Sequence, residues 1–154
     1  MATLELRLAD ALATEALGAQ LAVCSSAALL VFLQGQLGAG KTTLVRGFLR
    51  ALGHTGPVKS PTYALLEPYS LEGRNLYHLD LYRLRDAEEL EWIGIRDLLD
   101  GTSICLIEWP ERGTGLLPEP DVSITLEGDG EGRAARLSAG TSCGEQVLDC
   151  LSNP

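Results

Sequence analysis

Residues 35–42 read Gly-Gln-Leu-Gly-Ala-Gly-Lys-Thr, an eight-residue run in which glycines at 35, 38 and 40 lead into a lysine and a hydroxyl. Glycine lets the backbone curl until successive amide hydrogens converge on one anion, and a helix starting just beyond adds its dipole. In the complete P-loop pattern, Leu37, Gly38, Ala39 and Gly40 present amides to phosphate oxygens. Lys41 reaches the terminal phosphates, Thr42 offers its hydroxyl to Mg2+, and Thr43 donates to an inner phosphate. The ligand this pattern predicts is ATP with magnesium.

A metal held by Thr42 needs an acid at the end of a neighbouring strand, and two candidates exist, Asp80 and Glu108. Glu108 follows the apolar run Ile104–Ile107, so its carboxylate is expected at the carboxyl end of a parallel strand, beside the P-loop, as the metal partner. Asp80 is expected to orient or deprotonate the attacking water. The predicted catalytic set is therefore Lys41, Asp80 and Glu108, with Thr42 and Glu108 at the metal. Which acid lies closer to the metal stays open, as do the base-binding residues.

Other residues carry weaker signals. His78 shares the Asp80 face, where a neutral histidine is more often structural than catalytic. Trp109, next to Glu108, either covers the nucleotide site or packs as a buried indole. Thr62, in Ser60-Pro61-Thr62-Tyr63, is a candidate switch over the terminal phosphate. Arg133 and Arg136 are the basic residues beyond Arg112, and Arg133 is assigned to the nucleotide against the simpler reading of a solvated cation.

The elements that must position these groups follow from periodicity. Residues 3–7 alternate as a short strand, Asp10 caps a helix with Ala13, Leu17 and Leu21 on one stripe, and 28–33 form an unbroken apolar run. Leu44, Val45, Phe48, Leu49 and Leu52 keep the helical period to a stop at Gly53. A hairpin is expected from strands 62–69 and 76–81, joined by residues 70–75, with Tyr77, Leu79 and Leu81 on the core face and His78, Asp80 and Tyr82 on the other. Asp86 and Glu89 form a capping box for a helix that Gly94 interrupts. A second hairpin turns at 128–132, and Ser142 with Glu145 caps a final helix. The fold predicted is α/β, a P-loop NTPase-like sheet with central parallel strands, added antiparallel strands and helices on both faces. Residues 1–154 are expected to form a single domain.

Composition limits the function classes. With 154 residues, 45% hydrophobic and 21% charged, the chain reads as an ordinary globular domain. A formal net charge of −9 works against a broad direct footprint on nucleic acid. Cys24, Cys105, Cys143 and Cys150 show no zinc-ligand spacing, and their use fits a reducing compartment. Residues 1–10 carry no secretory apolar region, and the longest apolar run is too short for a bilayer. The cytoplasm is the expected location, with no membrane association.

Gly-Gln-Leu-Gly-Ala-Gly-Lys-Thr-Thr at 35–43, Ser-Pro-Thr-Tyr at 60–63, His-Leu-Asp-Leu-Tyr-Arg-Leu at 78–84 and Ile-Glu-Trp-Pro-Glu at 107–111 together resemble the TsaE (YjeE) family, bacterial ATPases of tRNA threonylcarbamoyladenosine biosynthesis. The resemblance covers most of residues 28–111 and is looser beyond. It implies a P-loop fold elaborated with antiparallel strands, weak ATP hydrolysis, and action with TsaB and TsaD to modify adenosine 37 of tRNAs reading codons that begin with A. It also implies Lys41 and Thr42 at the phosphates and metal, Glu108 at Mg2+ and Asp80 in hydrolysis, with tRNA met only through the complex. The acidic, glycine-rich turn 128–132 departs from the family pattern.

The alternative is a small-molecule or nucleoside kinase of the P-loop class, which needs an arginine-bearing lid. Arg83 and Arg85 are the nearest candidates, and both lie within or beside the 78–84 motif. A signalling GTPase would carry Asn-Lys-x-Asp, which does not occur. A partner protein that binds nucleotide without turnover is a third reading.

Overall fold

Alternating and unbroken apolar runs give the strands, and 3.6-residue stripes give the helices, in the computed structural model, which describes residues 2–153. Met1 and Pro154, the ends of the expected domain, lie outside them. In chain order the elements are β1 (Thr3–Leu8), α1 (Ala11–Cys24), β2 (Leu29–Gln34), α2 (Lys41–Ala51), β3 (Leu66–Leu71), β4 (Arg74–Asp80), α3 (Glu88–Trp92), α4 (Ile95–Leu98), β5 (Ile104–Glu108), β6 (Val122–Asp129), β7 (Gly132–Ala139) and α5 (Ser142–Ser152). A 3-10 turn, Pro110–Gly113, follows β5.

The strands form one seven-stranded sheet in the order β1-β7-β6-β2-β5-β4-β3. β6, β2, β5 and β4 run parallel, while β1, β7 and β3 pair antiparallel at the two edges. Helices cover both faces, as a sheet with parallel strands at its centre requires. Leu17, Leu21, Leu44, Phe48, Val147 and Leu148 of α1, α2 and α5 pack on one face against Val31, Leu33 and Leu106. On the other, Leu90 of α3 and Ile95 of α4 meet Leu30, Leu79, Cys105 and Ile107. Burial pushes the Cys105 thiol up to about 12, so it acts as a small apolar side chain.

The position of α2, which carries the end of the P-loop, depends on how closely α1 can approach it. A Cβ on Gly18 would collide with the Leu44 carbonyl, and one on Gly47 with the Glu15 carbonyl. Each helix therefore offers a glycine to the backbone of the other. Asp10 caps α1 as expected, accepting from the Ala13 amide at 2.9 Å.

Several boundaries differ from the sequence reading. Residues 62–65 make a turn closed by Leu65 N–H to the Pro61 carbonyl at 2.7 Å, so β3 begins at Leu66. The β3–β4 connection is the two-residue turn Glu72-Gly73, both with positive φ, in place of the expected six-residue loop. Both faces of β4 are covered near its end: His78, Leu79 and Asp80 are all buried. Thr141, one residue earlier than expected, caps α5 by accepting from Gly144 N–H. Cys24 and Cys150, whose use in the sequence fits a reducing compartment, instead form a disulfide joining α1 to α5 across a sequence separation of 126. No helix among the described residues is long and apolar enough to cross a membrane.

Gly18→Ala tests the α1–α2 contact by the sign of its effect. At an ordinary helix position the change would stabilise by about 1 kcal/mol. Here overpacking is expected to destabilise by about 1–3 kcal/mol in urea denaturation. A stabilised variant would show that the helices have room to spare.

Candidate functional site

The loop after β2 bends back over the strand ends because its glycines allow it. Gly35, Gly38 and Gly40 have φ of 151°, 80° and 107°. At Gly35 space also matters, since a Cβ would lie 2.6 Å from the Leu126 carbonyl of β6. α2 then starts at Lys41 with no side chain capping its first turn and no acid within it. α1 and α5 have Asp10 and Thr141 in that role. Within the loop the Ala39 amide is taken by the Gln36 carbonyl at 3.1 Å, whereas the first turn of α2 has no capping side chain, and the positive end of the helix favours an anion there.

Lys41 is only 4% exposed. Its ammonium donates to the Gly35 carbonyl and lies 3.9 Å from the Trp109 ring centroid. Desolvation lowers its pKa, and the charges of Glu108, Asp80 and Glu111 pull it back up. Trp109 reaches over the lysine from a left-handed backbone, φ 57° and ψ 49°, which is rare for a large side chain. Such strain costs about 1–3 kcal/mol and concentrates at functional positions.

The two acids occupy neighbouring strand ends, with Asp80 of β4 directly opposite Glu108 of β5. Glu108, 3% exposed, accepts from the Thr42 hydroxyl at 3.1 Å, and His78 Nε2 lies 2.6 Å from the same carboxylate oxygen. Asp80 accepts from the Tyr82 amide at 2.9 Å and from the hydroxyls of Thr62 at 3.0 Å and Ser60 at 3.4 Å. Lys41, Thr42 and Glu108 therefore come together, while Asp80 stands beside them holding the Ser60–Thr62 segment. Glu108 is the acid that touches Thr42.

Arg133, expected at the nucleotide, reaches the loop from β7 and borders both openings beside it. Its guanidinium donates to the carbonyls of Ala39 at 3.0 Å, Gly38 at 3.1 Å and Gly132 at 2.8 Å. Turning the Gly38 and Ala39 carbonyls toward Arg133 braces the outer side of the loop. Arg136, the other basic residue weighed, pairs instead with Glu5 on the exposed face.

Two openings flank the loop. An open cleft of about 610 Å³ runs along Gly35–Ala39, Trp109, Glu111 and Glu127. A smaller crevice of about 130 Å³ is lined by Thr43, Gly40 and Arg133 together with Asp10, Ala11, Thr14 and Glu131. Sequence reasoning missed these last four, which come from distant parts of the chain. It also passed over His78 as the partner of Glu108. Among the described residues no cluster of three or more His, Cys, Asp or Glu could hold a metal alone. A Mg2+ here would draw most of its ligands from phosphate and water, which is that ion's habit. Thr42 and Glu108, in contact and facing an uncapped helix end, fit it.

The family model described as threonylcarbamoyl adenosine biosynthesis protein TsaE matches residues 8–136. The tRNA threonylcarbamoyladenosine biosynthesis protein TsaE of Haemophilus influenzae is 52% identical over 126 residues, covering 82% of this chain and 80% of that protein. Its namesake in Nostoc sp. is 42% identical over 139 residues, covering 85% and 83%. The crystal structure of Bacillus subtilis YdiB superposes with a TM-score of 0.85 at 27% identity, covering 98% of this chain and 95% of that one.

Arg133→Lys keeps the charge but loses the planar fork that spans two carbonyls. Nucleotide affinity measured by calorimetry is expected to fall about 5- to 10-fold, the equivalent of one hydrogen bond of about 1 kcal/mol. Affinity equal to the parent protein would mean that charge alone, not the brace, is what Arg133 supplies.

Proposed function

The chain belongs to the TsaE family, and on that premise we propose that it binds ATP with Mg2+ and hydrolyses it slowly in the service of tRNA threonylcarbamoyladenosine biosynthesis. The observation that carries this reading is the contact of the Thr42 hydroxyl with Glu108 at the uncapped start of α2. That is the arrangement a nucleotide-bound magnesium requires.

In this reading the amides of Leu37 to Thr43 cradle the phosphates, Lys41 exchanges its Gly35 contact for the terminal phosphates, and Thr42 and Glu108 hold the metal. Bound Mg2+ would neutralise charge that develops on the transferred phosphoryl group. Asp80, its carboxylate fixed by the Tyr82 amide, orients the attacking water and accepts its proton. Thr62, hydrogen-bonded to Asp80, carries the state of the 60–63 segment to that carboxylate. The nucleoside lies past Thr43, in the crevice between the start of α1 and Arg133.

The whole chain, residues 1–154, acts as one domain in the cytoplasm. Its partners are TsaB and TsaD, and tRNA is met through their complex. The −9 charge supports protein partners over a direct phosphate footprint. A kinase reading finds no support at Arg83, which stacks on Tyr63 at 4.2 Å rather than serving a lid.

Phosphate release from ATP is expected without any acceptor and should rise on adding TsaB and TsaD; phosphate appearing on a nucleoside instead would favour the kinase. Lys41→Ala should abolish ATP binding in calorimetry, and unchanged affinity would remove the P-loop assignment. Asp80→Asn should keep ATP affinity within about threefold while turnover drops about 100- to 10,000-fold, the range of general-base catalysis. Normal turnover in that variant would take Asp80 out of the chemistry.

A further inference from the structure

We propose that His78 is a positioning residue that locks the Glu108 carboxylate in the orientation that receives the metal. The inference deepens the reading just given and rests on Glu108 being the metal-side acid.

His78 is fully buried on β4, 0% exposed, and reaches across to β5. Its Nε2 lies 2.6 Å from Glu108 Oε2, the oxygen that also accepts from Thr42. Both donors thus converge on one oxygen. Among the described residues no hydrogen bond reaches Oε1, which leaves that oxygen to face a cation or its water. The two donors differ in kind: Thr42 must share its hydroxyl with the metal, whereas the imidazole has no other task and is held rigid by the packed sheet. Carboxylates at metal sites are held by such outer partners, and losing one typically lowers metal affinity about 10- to 100-fold.

The far side of the ring supports a functional reason for a histidine at this position. Nδ1 is buried with no hydrogen-bond partner among the described residues. An unsatisfied buried polar atom costs about 1–3 kcal/mol, and an apolar residue would avoid the cost. What the histidine supplies in return is the contact at Nε2. Donation to the carboxylate requires a proton on Nε2.

The test uses the full chain and ADP, so that turnover plays no part. MgCl2 is titrated into each variant with ADP present, and ADP affinity is also measured in EDTA. For His78→Leu, the Mg2+ concentration giving half-maximal tightening of ADP is expected to rise about 10- to 100-fold. Its metal-free ADP affinity and urea midpoint should hold. His78→Gln, whose amide can donate from near the Nε2 position, should restore Mg2+ dependence to within about threefold. A His78→Leu protein with unchanged Mg2+ dependence overturns the proposal.

Should the leucine variant fail to fold, the glutamine variant and the native ring decide. The chain has two histidines, so nitrogen NMR assigns the ring of His78 readily. A proton on Nε2 is expected, and its absence overturns the contact. Glu108→Gln separates the two levels of the claim. If Mg2+ dependence survives that change, the metal-side reading of Glu108 fails; if it is lost there but intact in His78→Leu, only the role of His78 fails.

Discussion

Everything at the site depends on the register of three parallel strands. β2, β5 and β4 end at a common level, with Leu33 opposite Glu108 and Glu108 opposite Asp80. A slip of one residue in β5 would turn Glu108 to the α3–α4 face and bring Trp109 or Ile107 under the loop, because side chains alternate with a period of two. That slip is opposed by the apolar side chains of Ile104, Leu106 and Ile107, which are fully buried on one face or the other. The core thus sets the position of a carboxylate to within one residue.

The rest of the fold serves the loop on either side of that register. Gly18 and Gly47 let α1 lie against α2, so the start of α1 borders the crevice at Thr43. The antiparallel pair β6–β7 supplies the Leu126 carbonyl beneath Gly35 and Arg133 above Gly38 and Ala39. These are backbone contacts, indifferent to most side chains of the loop. They explain why the antiparallel addition is more than an edge to the sheet.

The P-loop, β2, α2, β5 and the position of Glu108 at the end of β5 were legible because each rests on a local pattern: a motif, an apolar run, a 3.6-residue stripe. The Asp10 cap and the Gly94 break were legible for the same reason. What escaped was non-local. Cys24 and Cys150 are 126 residues apart, and nothing in their spacing announces a bond. Period-two reasoning placed His78 and Asp80 on one face of β4 but could not say that Glu108 and the Ser60–Thr62 segment meet them there. That Arg133 donates to loop carbonyls escaped because a carbonyl lining leaves no trace in sequence. The Glu72-Gly73 turn was hidden by flanking Ser70 and Asn75, loop-like residues that in fact pair across the hairpin.

One consequence of the geometry bears on how tightly a nucleotide can bind. The key groups already have partners within the protein: Lys41 has the Gly35 carbonyl and the Trp109 ring, Thr42 has Glu108, and Asp80 has Thr62. On the proposed function, phosphate binding would replace the protein contact of Lys41, so the net gain would be the difference between two interactions rather than the whole of one. The lysine gains most from the exchange, since burial lowers its pKa and a polyphosphate offers more negative charge than Glu108 and Asp80 supply from the strand ends. Trp109 resists it, because the indole lies over the ammonium that a phosphate would need to approach. Its left-handed backbone holds this large side chain at a conformational cost, and its release would offset the contact it loses.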